Sequence, residues 1–239
     1  MAGGSLQFNS SFPDVTGRTM WITNQLGVAT WSDDVTEWEV DARGGQAISI
    51  GPGDEAAVQL RPVEDSTLPA ADEQFVRGCC WNINYPQAEH RHALRIAFEP
   101  IEVVPNSMLL EATISIQTDL LDSHPKIDIR FDGELTRRLS IPGAARHPAS
   151  QAGSAGVTVA NSDTNCVAIL LGPHDSPFTT DLSTPESLRL RLFGEFLEKG
   201  VIRKARPWIL IRPVANEPSD SELHAISQRL ADRPLPLAF

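Results

Sequence analysis

Apolar and polar side chains alternate along most of this chain. Between 108 and 118, Met108, Leu110, Ala112, Ile114 and Ile116 are apolar, and Glu111, Thr113, Ser115 and Gln117 stand between them. A period of two belongs to a strand with one buried and one wet face. Leu94, Ile96 and Phe98, then Ile127, Ile129 and Phe131, then Leu188, Leu190 and Leu192 repeat it. Over 75–85, Phe75, Cys79, Trp81, Ile83 and Tyr85 fall on one face of a single extended run, with Arg77 among them. Further alternating runs cover 18–23, 35–40, 46–50, 56–62, 156–160 and 201–212, and Cys166 to Leu171 is apolar on both faces, as suits a strand inside the core. Gly51-Pro52-Gly53 and Asp132-Gly133 punctuate the runs, and Glu198-Lys199-Gly200 reads as a hairpin joining 187–197 to 201–212.

Only one segment carries a helical period. Ser219 and Glu222 have capping-box spacing, Leu223, Ile226 and Leu230 follow at steps of three and four, and Pro234 stops the run. No strand–helix–strand alternation suggests a parallel sheet. The expected fold class is therefore all-β: a large antiparallel two-sheet β-sandwich of about ten to twelve strands with one C-terminal helix. It occupies 1–239 as a single domain, with the helix at 219–232. Residues 133–156, rich in Gly, Ala, Ser and Pro with Arg137, Arg138, Arg146 and His147 embedded, read as a long flexible insertion. The closing Pro234–Phe239 reads as an extended apolar tail, either docked or used in a homodimer contact.

Composition narrows the partners. The 239 residues include 41% hydrophobic side chains, enough for a packed core, and carry a formal net charge of −11. Such a chain repels phosphate backbones and anionic lipid, so no nucleic-acid and no membrane partner is expected. Residues 1–125 hold 18 acids and 6 bases, whereas 126–239 hold 13 and 14, and 17 of the 20 bases are Arg. No apolar run reaches the roughly 18 residues of a membrane helix, and no export signal is visible at the start. Cys79, Cys80 and Cys166 are an odd set without CxxC spacing, which argues for free thiols in a reducing compartment. The expectation is a cytoplasmic protein with no metal and no cofactor.

Chemistry-bearing patterns are sparse. No nucleophile elbow, HExxH helix, P-loop or dinucleotide-binding glycine pattern occurs. His90 and His92, two apart beside Glu89, could share a metal on an extended segment, but two ligands are not a site. His174-Asp175 offers an oriented base, or simply a turn between Pro173 and Pro177. Trp21, Trp31, Trp38, Trp81 and Trp208 provide flat surfaces on which sugar rings stack, and equally ordinary core residues. An Arg within an apolar strand face costs several kcal/mol unless paired. Arg77 therefore either faces a ligand concavity or holds a carboxylate such as Glu99 or Asp128. The expected ligand-binding set is Arg77, Trp81, Tyr85, His90 and His92.

The stretch Phe75-Val-Arg-Gly-Cys-Cys-Trp-Asn-Ile-Asn-Tyr-Pro86 resembles one in a family of uncharacterised bacterial β-rich proteins, as does Leu197–Arg206. At fold level the chain is similar to the large sandwiches of sugar mutarotases and lyase domains. The resemblance implies a β-sandwich and no particular activity. Three functions stay open. The first is non-catalytic binding of a carbohydrate or similar polar small molecule. The second is a mutarotase- or lyase-like enzyme using His90, His92 or His174 as acid–base groups. The third is an assembly protein with no small-molecule site.

Overall fold

The computed structural model describes residues 20–32, 35–53, 55–63, 67–87, 92–140 and 156–235. Their strands form two antiparallel sheets. The first is assembled from β1 (Ile22–Gln25), β2 (Val28–Ser32), β3 (Glu37–Asp41), β4 (Ile48–Pro52), β5 (Val58–Pro62), β10 (Lys126–Asp132), β15 (Ser187–Phe193) and β14 (Thr180–Asp181), in that spatial order. The second runs β11 (Glu134–Leu139), β12 (Val157–Asn161), β13 (Asn165–Leu170), β17 (Trp208–Pro213), β9 (Ser107–Gln117), β8 (Ala93–Val104), β7 (Cys80–Tyr85) and β6 (Glu73–Arg77). A short strand, β16 (Ile202–Ala205), continues the β17 edge by pairing with β9.

The alternation places one face of each strand in a shared interior. Val40, Ile50, Leu60, Ile129 and Leu190 of the first sheet join Ile83, Ile96, Phe98, Ile114 and Ile209 of the second in one buried cluster. Cys166–Leu171 is apolar on both sides for a separate reason. Val167 and Ile169 face that interior, while Cys166, Ala168 and Leu170 pack outward beneath Leu223, Ile226 and Leu230 of α1 (Asp220–Asp232). The helix thus covers β12, β13, β17 and the start of β9 from outside.

Three expectations change. The run 75–85 is not one strand but the hairpin β6–β7, because Gly78 adopts φ +64° and Arg77 pairs with Cys80. A two-residue loop with Gly in that conformation at its first position folds the chain back. Residues 187–197 and 201–212 are not a hairpin either. β15 lies in the first sheet and β16 in the second, and the turn signal marks a crossing between sheets. Phe193 at φ +63° and Gly194 at φ +101° bend the chain out of β15 there. Within 133–156, Glu134–Leu139 is a strand, held on an edge by pairing with β12, while 141–155 lie outside the described residues.

α1 begins as its sequence foretells. The Ser219 hydroxyl accepts from the Glu222 amide at 3.2 Å. The reciprocal half of a capping box is replaced, because the Glu222 carboxylate pairs with Arg212 at 2.7 Å. Arg206 closes the other end, donating to the carbonyls of Leu230 at 3.4 Å and Arg233 at 3.2 Å. A cation there complements the negative end of the helix dipole.

Candidate functional site

α1 covers only half of the second sheet's outer face. Over the other half, β6, β7, β8, β9 and β16 expose their polar positions in an open groove of about 790 Å³, within the range of small-molecule sites. The pairing register orders its floor in rows. Asn84, Arg95, Ser115 and Lys204 lie across β7, β8, β9 and β16. Asn82, Ala97 and Thr113 form the next row, and Glu99 and Glu111 face each other in the row beyond. Ala93 and Ala97 keep the floor low, and Phe75 of β6 stands at the rim, 38% exposed, with the Arg95 guanidinium 5.6 Å from its ring centre.

The carboxylate end of the groove is charge-neutralised. Arg233 lies 2.6 Å from Glu99 and 3.2 Å from Glu111. Glu111 also accepts from the Trp208 indole at 2.7 Å and from Thr113 at 3.2 Å, so its carboxylate is satisfied although nearly buried. Burial pushes the Cys80 thiol up to about 11, and burial together with Glu99 raises Cys79. These thiols are poor nucleophiles near neutral pH. At the opposite end Arg95 and Lys204 line the floor, and the Asp72 and Glu73 carboxylates line the edge beyond Asn84. Arg95 hydrogen-bonds Asn82 at 3.4 Å and has no carboxylate within 4.0 Å among the described residues. Burial first, then Arg95, holds the Lys204 ammonium below the usual lysine value.

The expected ligand-binding set divides. Arg77 is exposed and lines the groove. Trp81 and Tyr85 do not share its face: the hairpin turn intervenes, and they point into the core at 0% and 1% exposure. The Tyr85 hydroxyl donates to the Ala42 carbonyl at 2.6 Å. Nor does Arg77 hold Glu99 or Asp128, which pair with other arginines. His92 sits half-buried just before β8, and His90 lies outside the described residues. All five tryptophans are buried, so the aromatic platform that sequence suggested passes to Phe75. The true floor residues, Asn82, Asn84, Arg95, Thr113 and Ser115, were visible as the polar positions of well-read strands. Their convergence depends on strand order, which no local pattern encodes.

Two other features carry charge. On the first sheet's outer face, the fully buried Asp128 carboxylate is held by Arg189 at 2.7 Å, Arg191 at 2.9 Å and Arg130 at 3.4 Å. Burial alone would raise its pKa, but the hydrogen bonds from Arg191 and Arg189 outweigh it and keep it below the usual carboxylate range. His174 and Asp175 line a second cavity of about 380 Å³, which shares Lys204 and Arg206 with the groove. Burial raises the Asp175 pKa, and its carboxylate accepts from the Arg206 amide at 3.2 Å. Among the described residues, no three His, Cys, Asp or Glu side chains gather as a metal site would need, and no helix is long and apolar enough to cross a membrane.

No protein-family model matches the chain, and no curated protein matches its sequence. The functional reading therefore rests on the groove.

Proposed function

We propose that this protein binds a hydroxyl-rich polar small molecule, a carbohydrate or a close chemical relative, in the groove of the second sheet. One observation carries the reading: amide, hydroxyl and cationic side chains from four neighbouring strands converge on the floor of a groove of about 790 Å³. Sugar hydroxyls need donors and acceptors at fixed spacing, and a sheet supplies them every second residue on strands about 4.8 Å apart. Phe75 at the rim offers the apolar edge against which a sugar C–H face can rest. The ladder already holds the strand backbone, so binding has to order side-chain rotamers but no backbone.

The test is a glycan array followed by calorimetry, using the native protein and Ala97→Trp. Position 97 lies half-buried on the floor, so an indole there fills the groove without entering the core. The expected result is binding of a set of oligosaccharides by the native protein and its loss in A97W at an unchanged melting temperature. A blank array, or binding that survives A97W, overturns the proposal.

A further inference from the structure

The groove's charged side chains are ordered by cross-strand row, and one row names the kind of sugar it would take. At one end Glu99 and Glu111 are both engaged by Arg233. At the other, Arg95 on β8 and Lys204 on β16 occupy the same cross-strand row, with Ser115 of β9 between them. Their backbones are two strand spacings apart, about 10 Å, a span that two long side chains can close over one small anion. The carboxylates nearest that row, Asp72 and Glu73, lie beyond Asn84, and Glu73 accepts from its amide at 2.5 Å. Arg95 itself leans over Phe75, and Asn82 is its only hydrogen-bond partner among the described residues, which leaves guanidinium donors for a ligand in the groove it lines. Two cations at one site is an unexpected arrangement in a chain of net charge −11.

Resting on the groove reading, we infer that Arg95, Ser115 and Lys204 form an anion subsite, so that the ligand is an acidic sugar bearing a carboxylate or sulfate ester. The guanidinium offers a forked pair of donors to a planar or tetrahedral anion, Ser115 a hydroxyl, and Lys204 a point charge. Asn82, Asn84 and Thr113 then face the neutral hydroxyls of the same ring. The mutual repulsion of the two cations, which contributes to the low Lys204 pKa, is relieved when an anion sits between them.

Calorimetry decides this with three chemically matched oligosaccharides: neutral, uronate-bearing and sulfate-bearing. Sodium sulfate alone serves as the control for simple anion binding. The native protein should bind at least one acidic form tenfold or more tighter than the neutral one. That preference should shrink severalfold between 20 and 300 mM salt, because the charges are solvent-accessible. Arg95→Met and Lys204→Gln should each remove most of the preference, weakening the acidic form at least fivefold more than the neutral one. The stronger of the two acidic forms identifies the anion as carboxylate or sulfate. Equal affinity for neutral and acidic forms, or variants that weaken both alike, overturns the subsite while leaving the groove reading intact. Sulfate alone binding as tightly as the sulfated sugar also overturns it. If no sugar binds at all, the groove reading falls with it.

Discussion

Asp128 should be one of the costliest polar side chains in the molecule to remove. Its carboxylate has no solvent exposure and takes two short ion pairs, at 2.7 Å from Arg189 and 2.9 Å from Arg191, plus a longer one at 3.4 Å from Arg130. Removing one member of a fully buried pair costs about 3–5 kcal/mol, because the partner charge is left unpaired in a dry site. Here the three arginine side chains keep 32%, 21% and 33% of their exposure and rehydrate in part. For Asp128→Asn, which preserves shape, we therefore expect a loss of about 2–3 kcal/mol. In a domain of this size that lowers Tm by about 4–12 °C. The effect should also depend on pH. The native pKa of Asp128 lies below its unfolded value, so its contribution is complete above about pH 4 and fades as pH falls through the native pKa. Urea titrations followed by tryptophan fluorescence at pH 7, 5, 4 and 3 measure both. The gap between native protein and D128N should hold from pH 7 to 5 and narrow below 4. A D128N protein within 0.5 kcal/mol of the native one at pH 7, or a gap that widens in acid, refutes the argument. In that case the arginines gain as much from water as from Asp128.

Two smaller effects follow from the same structure. Ser219→Ala removes the side-chain acceptor of the Glu222 amide and should cost about 1 kcal/mol, a Tm loss of about 2–4 °C by calorimetry. With the Cys80 thiol at about 11, only about a thousandth of it is thiolate at pH 8. In a Cys79→Ser protein, which removes the exposed neighbouring thiol, labelling with a thiol-reactive dye should therefore be slow at pH 8 and accelerate about tenfold for each added pH unit up to 10. The buried Cys166, likewise pushed up to about 11, should stay unlabelled until denaturant is added.

The parts of the fold that were legible are those in which one residue's neighbours settle its side. β15 alternates throughout, and β9 does so from Ala112 to Gln117, because one face meets the other sheet and one is left open, and α1 carries both its cap and its apolar stripe in twelve residues of sequence. The double-sided apolar run of β13 was readable as core, although what covers its second face is a helix 50 residues later in the chain. β11 was illegible for the converse reason. It lies on a sheet edge, and its side chains are all exposed or half-buried, so Glu134, Thr136 and Arg138 give no apolar rhythm against Leu135 and Leu139.

The common face expected for Arg77, Trp81 and Tyr85 breaks at a single glycine. Reading 75–85 as one strand puts Arg77, Trp81 and Tyr85 on a common face, and Gly78 was the residue that denied it. A glycine between an arginine and a cysteine carries no turn signature as strong as Asn-Gly, yet at φ +64° it reverses the chain and pairs Arg77 with Cys80. The consequence reaches beyond that hairpin. Once β7 is a separate strand in register with β8, Trp81, Ile83 and Tyr85 alternate into the core, and Cys80, Asn82 and Asn84 must alternate out. The polar groove and the aromatic core are thus two faces of one register, so a one-residue slip in β7 would exchange them. The same period of two that made the strands recognisable is what brings amides, rather than indoles, to the ligand side.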